Sequence, residues 1–331
     1  MLTNRVIYKH ATVLLSLLLV MFSGNSYAKK SFELYVQELK QEAVLKGHDP
    51  VFVDTAFSAV SYRKSAVKAD KNQPETKITL DTYLATRVPD WKVKQAVQLL
   101  AENEQVLDII EQRYGVQKRF IVALWGNESN FGKYMGEHPV LNSLTTLAYD
   151  GRREDFFKKQ IFAALIIAEQ GHIKLEEFVG SWAGAMGQTQ FMPSSFLNYA
   201  VDFDGDGKKD IWSNKADVFA SIANYLKSEG WSQQLTWGRQ VKLPTNIDGD
   251  TIGLSRQKMQ TLEQWAALGV TRHNGKVLPN AAIKASLIAP DGIQGRVYLV
   301  YENFHTLMKW NRSSYFGVSV SYLSERIKKG F

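Results

Sequence analysis

The 331-residue chain has no cysteine, which excludes disulfides, thiol nucleophiles, zinc-thiolate sites and a lipid-modified N-terminal cysteine. Its six histidines are scattered and form no His-Glu-x-x-His pair, so the zinc peptidase pattern is missing. No Gly-x-x-x-x-Gly-Lys-Ser/Thr phosphate loop and no Gly-x-Ser-x-Gly elbow occur. The chain also lacks internal repeats, low-complexity tracts and a clear linker, which favours one compact unit with subdomains. Lysines and arginines are dispersed rather than clustered with aromatics, so nucleic acid is a poor partner.

Long apolar runs are lacking too. Ala11 to Phe22 is apolar, but it falls short of the ~20 residues that span a bilayer. Arg5 and Lys9 precede it, and Ser26-Tyr27-Ala28 places small residues at the −3 and −1 positions of a cleavage site. Residues 1–28 therefore read as a signal peptide, with an uncleaved anchor as the alternative. The expected mature protein, residues 29–331, is exported to the periplasm with no stable membrane insertion. Removing Arg5 and Lys9 lowers the formal charge from +7 to +5. A mildly basic exported protein suits anionic polymers such as a cell wall bearing carboxylate peptides.

The composition, 45% hydrophobic and 22% charged, is that of a globular protein. Helical spacing recurs through Phe32, Tyr35, Val36 and Leu39, and again through Phe52, Val53, Ala56 and Phe57. Asp49 is the expected cap of the second helix, with Pro50 at its first position. Residues 61–78 read as a loop or extended arm. Leu80 to Tyr114 is helical with an interruption at Pro89-Asp90, and Thr79 or Asp81 can cap it. Later helices are expected over 156–168, 216–227, 262–268, 303–310 and 315–327. Short strands are expected near 240–243, and 285–289 should pair with 296–301 around Pro290-Asp291-Gly292.

One carboxylate stands out. Ile121, Leu124, Trp125 and Glu128 fall at i, i+3, i+4 and i+7, so Glu128 shares the apolar stripe of a helix that Gly132 would stop. Burial there raises the carboxyl pKa and keeps the proton on near neutrality, as a general acid requires. An ordinary glutamate at a fraying helix end has the same spacing. Small residues at 180, 181, 183, 184, 185 and 187 let a chain or ligand approach the backbone closely, and Gln188 and Gln190 add amides that donate and accept. Trp125, Trp182, Trp212, Tyr225 and Tyr315 offer flat platforms for sugar rings or, equally, core. Asp202, Asp204, Asp206, the Lys208 carbonyl and Asp210 match an EF-hand loop around Gly207, but Ser213 occupies position 12 where a glutamate is expected. Asp217 is the candidate replacement, and an acidic Asp-Gly turn is the plain alternative.

Trp125 to Gly132, Gly184 to Ser195, Asp202 to Trp212, Ala223-Asn224-Tyr225 and Lys309 to Ser313 together resemble the lytic transglycosylase B family, glycoside hydrolase family 103. The likeness runs from about residue 32 to 327. It implies a mainly α (α+β) fold: a lysozyme-like core over about 80–235, a helical part at 32–78, and a small β-containing part within 236–327. It also implies non-hydrolytic cleavage of the MurNAc-GlcNAc β-1,4 bond of peptidoglycan to 1,6-anhydroMurNAc ends. By motif match Glu128 is acid and then base, since the substrate's own groups replace a second carboxylate. Ser181, Gln190, Tyr225 and Asn311 would bond the sugar or Glu128, and Arg152 and Arg153 would bind peptide or lactyl carboxylates. No catalytic cofactor is implied, and a structural Ca2+ is the metal expected at the Asp202–Asp217 loop. Phe316 stands where some relatives have tyrosine, and one additional residue lies between Trp212 and Asp217. A hydrolytic muramidase and a silent wall-binding protein are the alternatives.

Overall fold

The computed structural model describes residues 30–71 and 78–330; the expected signal peptide, residues 1–28, lies outside the described residues. Helix α1 (Phe32–Leu45) starts at Ser31, whose hydroxyl accepts the Leu34 N–H. Asp49 caps α2 (Pro50–Phe57) with Pro50 at the first turn, as the sequence suggests. The stretch expected as a loop or arm instead contains helix α3 (Lys64–Lys71). Its apolar face is only Ala66 and Val67, too little to register as a period, and the buried Asp70 beside them is what docks it.

Thr79 caps α4 (Leu80–Arg87) through its hydroxyl. Pro89 then breaks the path before α5 (Asp90–Glu102), α6 (Glu104–Tyr114) and α7 (Lys118–Ser129). Strand β1 (His138–Pro139), α8 (Val140–Asp150), α9 (Glu154–Glu169) and β2 (Val179–Gly180) follow, with β1 and β2 antiparallel. Helices α10 (Pro193–Tyr199) and α11 (Lys215–Ser228) flank the acidic loop.

Sequence periodicity assigned α7 a single apolar stripe, but every residue from Phe120 to Asn127 is buried. A helix buried all round is a core element rather than a surface one. It is surrounded by α5, α6, α11 and the last helix of the chain. Arg119 keeps its charge outside this core by reaching Glu325 at 2.6 Å.

The remaining elements form an antiparallel sheet and two closing helices. They are β3 (Gly238–Lys242), β4 (Gln260–Thr261), α12 (Leu262–Ala267), β5 (Thr271–Arg272), β6 (Lys284–Ile288), β7 (Val297–Val300), α13 (Glu302–Trp310) and α14 (Ser314–Lys329). The strand order is β4-β6-β7-β3-β5. The expected pairing around Pro290-Asp291-Gly292 is present, with Ser286 opposite Val300 and Ile288 opposite Tyr298. Trp265, Leu262, Leu287, Leu299 and Tyr301 give the sheet its own small core. Helices α13 and α14 then return to the helical core, which carries Trp310 back towards α7.

Candidate active site

Helix α7 ends one residue after Glu128. The sequence suggests a stop at Gly132, but Asn130 (φ 50°), Phe131 (φ 61°) and Gly132 (φ 82°) are all left-handed, so the helix stops at Ser129. Asn tolerates this conformation and Phe resists it; packing holds Phe131, whose ring lies edge-on to Trp125 at 5.4 Å. Gly126 is required beneath that ring, because a Cβ there would lie 2.6 Å from Phe131. Strain of this kind clusters at functional sites, and here it fixes the backbone on which Glu128 stands.

The orphan carbonyls of the α7 terminus find partners. Arg87, at the end of α4, donates to the Asn127 carbonyl at 3.0 Å, and the Ser129 hydroxyl donates to the Trp125 carbonyl at 3.2 Å while accepting the Gly132 N–H at 3.0 Å. The Asn127 side chain is locked by Ala123 and by the Ser319 hydroxyl. Glu128 itself is partly buried, and its Oε1 accepts the Trp310 indole N–H at 2.6 Å. Burial pushes the carboxyl up to about 7, against the lowering effects of the Trp310 hydrogen bond and the Arg87 charge. The group is thus half-protonated near neutrality, poised to give or take a proton.

Trp310 is held in turn by two rings. Tyr225 of α11 lies 4.6 Å from it and Phe191 lies 5.2 Å away. Segments far apart in sequence therefore converge on Trp310, whose indole reaches Glu128. Trp310 belongs to the Lys309–Ser313 segment, but it is 182 residues from Glu128, and no local pattern reveals the contact. Arg87, a further partner of this helix end, carried no sequence signal beyond its place before Pro89.

The small-residue segment serves its own backbone. Ser181 N–H bonds to Ala185 O at 2.8 Å, and Met186 and Phe191 exchange both backbone bonds. Gly136 must be glycine, since at φ 90° a Cβ would fall 2.1 Å from the Gly180 carbonyl. Ser181 accepts the Ala185 N–H at 3.0 Å through its hydroxyl. Gln188 is buried and structural: it accepts from Trp125 Nε1 at 2.7 Å and donates to the Trp212 carbonyl at 2.8 Å. Gln190 is left-handed at φ 51°, and its amide N–H groups bond Met135 O and Gly187 O, so its oxygen is the atom turned to other uses. Trp125 and Trp212 are buried and are core rather than platforms.

Asn311 is exposed beside Trp310, with its Oδ1 accepting the Ser313 N–H at 3.0 Å. Arg152 and Arg153 sit at the α8–α9 turn and share the buried carboxylate of Asp70, at 3.0 and 2.5 Å. Among the described residues no ion pair ties them to Glu128. One carboxylate cannot neutralise two guanidinium groups, so the half-exposed pair keeps a net positive charge. Phe316 is buried in α14.

In the acidic loop, Asp202, Asp204 and Asp217 bring one carboxylate oxygen each within 4.8 Å of one another. Asp217, from the first turn of α11, is fully buried, and desolvation, with repulsion from Asp204 and Asp202, pushes its carboxyl up. An oxygen-only donor set whose charges repel, anchored on the buried Asp217 with Asp202 and Asp204 open to solvent, fits a hard cation such as Ca2+. Asp206 and Asp210, like the three cluster carboxylates, accept loop N–H groups, those of Lys208, Trp212 and Ser213, but they lie outside the close triad. Asp217 thus joins the cluster, while Asp206 and Asp210 do not. Lys208 is exposed.

Residues 31–325 match the family model described as Transglycosylase SLT domain. The chain is 33% identical over 241 residues to the membrane-bound lytic murein transglycosylase B of Escherichia coli, covering 72% of this chain and 64% of that protein. The chain therefore spans under two thirds of that relative's length. SltB3 from Pseudomonas aeruginosa, solved in complex with NAG-anhNAM-pentapeptide and with NAG-NAM-pentapeptide, superposes with a TM-score of 0.87 at 40% identity, over 91% of this chain and 80% of that one. The Escherichia coli lytic transglycosylase SLT35 in complex with calcium gives a TM-score of 0.77 at 28% identity, over 89% of this chain and 93% of that one.

Proposed function

The chain belongs to the Transglycosylase SLT domain family, and from that premise we propose that it is a murein lytic transglycosylase with Glu128 as its single acid and base. The observation that carries the reading is Glu128 itself: a partly buried carboxyl, pushed up to about 7, at the strained end of a buried helix.

The protonated carboxyl gives its proton to the glycosidic oxygen between MurNAc and GlcNAc. The C1–O bond then breaks, its electron pair stays on the departing oxygen, and GlcNAc leaves with a 4-hydroxyl. The substrate's N-acetyl oxygen assists at C1 in place of a second carboxylate. The Glu128 carboxylate next takes the proton of the MurNAc 6-hydroxyl as O6 bonds to C1. The product is a 1,6-anhydro ring, no water is consumed, and Glu128 ends protonated as it began.

Ser181, the Gln190 oxygen, the Tyr225 hydroxyl and Asn311 are the groups proposed to bond the sugars. Arg152 and Arg153 are proposed to bind carboxylates of the peptide or lactyl group, because their positive charge exceeds what Asp70 supplies. Asp202, Asp204 and Asp217 are proposed to hold a structural Ca2+, an ion that supplies rigidity to the loop and takes no part in proton transfer. No described helix is long and apolar enough to cross a membrane, and a periplasmic site of action fits the leader-like residues 1–28.

Digestion of purified sacculi tests the reading. Anhydromuropeptides should be the products, and Glu128→Gln should release none while keeping its fold. Products with free reducing ends would instead assign a hydrolytic muramidase, and binding without cleavage a silent wall-binding protein.

A further inference from the structure

The hydrogen bond on Glu128 uses a side chain that can only donate. An indole has one N–H and no acceptor, and Trp310 directs it at Oε1 from 2.6 Å. In a protonated carboxyl the carbonyl oxygen is a better acceptor than the hydroxyl oxygen, so an N–H held on Oε1 disfavours the proton there. The two oxygens of Glu128 are therefore inequivalent before substrate arrives.

We propose that Trp310 is a positioning residue: its indole N–H keeps Glu128 Oε1 as the carbonyl oxygen and leaves Oε2 as the one atom that gives and later takes the proton. The inference rests on the reading of Glu128 as acid and base. A single oxygen serving both steps needs a carboxyl that does not rotate between them, and the bond to Trp310 supplies that restraint.

Trp310 is itself fixed. Phe191 and Tyr225 hold its ring at 5.2 and 4.6 Å. Next to it, Lys309 donates to the Glu229 carbonyl at 2.8 Å and pairs with its carboxylate at 3.0 Å. Tyr199 bonds the same carboxylate, and its ring lies 4.5 Å from that of Tyr225 at a tilt of 57°. The end of α13 is thus pinned to the end of α11, and the indole has little freedom to follow the carboxyl elsewhere. This also gives Phe191, within the Gly184–Ser195 segment, a route to the reacting atoms that does not require it to touch substrate.

The charged group acting on Glu128 is Arg87 of α4. Arg87 is coupled in turn to the buried Lys92 of α5, whose ammonium is pushed down to about 8, first by burial and then by Arg87. Lys92 titrates close enough to Glu128 that a rate profile alone would mix the two. The Glu128 carboxyl is therefore followed directly, by carbon-13 NMR of labelled glutamate.

Trp310→Phe removes the donor and keeps an aromatic ring. The expected result is a kcat lowered about 10- to 100-fold with KM changed less than about threefold, the scale of a misplaced reacting group. The Glu128 titration and the alkaline limb of kcat should both move up by roughly one unit, because a hydrogen bond to the charged form has been lost. Trp310→3-benzothienylalanine, in which sulfur replaces the N–H at the same shape, should reproduce the shift and keeps the test decisive where phenylalanine loosens the Phe191–Tyr225 cage. Unchanged kcat and an unmoved Glu128 titration in the benzothienyl variant would overturn the proposal, while an inactive Glu128→Gln enzyme would leave the reading of Glu128 standing. An active Glu128→Gln enzyme would overturn both.

Discussion

Trp125 donates its indole N–H to the Gln188 side-chain oxygen at 2.7 Å, and both groups are buried. The same amide donates to the Trp212 carbonyl at 2.8 Å, so Gln188 joins α7 to the segment leading out of the acidic loop. Gln188→Leu has a similar volume and neither hydrogen bond. It strands a buried indole N–H and a carbonyl, each costing about 1–3 kcal/mol. A loss of roughly 2–6 kcal/mol is expected from the two groups together, read as a lower urea midpoint at unchanged m-value.

Glu128 makes both rate and stability depend on pH. The acid step needs the protonated carboxyl, so kcat should fall as pH rises through about 7. In the fold the carboxyl pKa is raised from 4.5 to about 7. The folded state then binds the extra proton, and its stabilising effect is complete below 4.5 and lost as pH rises through 7. Glu128→Gln removes that dependence. Its stability relative to the parent should rise between pH 4.5 and 7 by on the order of 1–3 kcal/mol, measured by denaturant melts across that range. A difference that does not change with pH would contradict the raised carboxyl.

How much of this was legible beforehand depends on sequence distance. The Asp49-Pro50 cap, the strands flanking Pro290-Asp291-Gly292 and the place of Glu128 on an apolar stripe are set by neighbours close in sequence, and local spacing encodes them, whereas α11 and α14, which help to bury its helix, come from far along the chain. Helix α3 escaped because its face is two apolar residues and a carboxylate whose partners, Arg152 and Arg153, lie about eighty positions away. Trp310 escaped for the same reason on a longer scale. The roles of Gln188 and Gln190 are not separable by residue type, since only the fold shows that one amide is spent on two tryptophans.

The Asp202–Asp204–Asp217 cluster predicts a stabilising cation. Calcium added to chelator-treated protein should raise the melting temperature in a concentration-dependent way, since a ligand bound only by the folded state stabilises it by RT ln(1 + [L]/Kd). Asp217→Asn keeps the hydrogen-bond acceptor for one of the Phe203 and Asp210 N–H groups and removes a charge, so the calcium-dependent rise should shrink or vanish. An equal response in Asp206→Asn and Asp217→Asn would argue that the ion is held by the wider EF-hand set, Asp206 included, rather than by Asp202, Asp204 and Asp217 alone.

Asp70 sets the charge of the arginine pair. Its carboxylate is buried and contacts both Arg152 and Arg153, so Asp70→Asn leaves two guanidinium groups facing one another and loosens α3. A stability loss of roughly 1–2 kcal/mol is expected, discounted because both arginines are half-exposed. The substrate effect separates a structural pair from a binding one. If the pair binds carboxylates, Arg152→Ala should raise KM for peptide-bearing strands about 10-fold and leave KM for glycan stripped of its peptides nearly unchanged, since a charge-assisted bond is worth roughly 1.5–3 kcal/mol. The Arg152 guanidinium is the more exposed of the two, so its removal should disturb the α3 docking less than Arg153→Ala. Equal losses on both substrates would assign the pair to holding α3 alone.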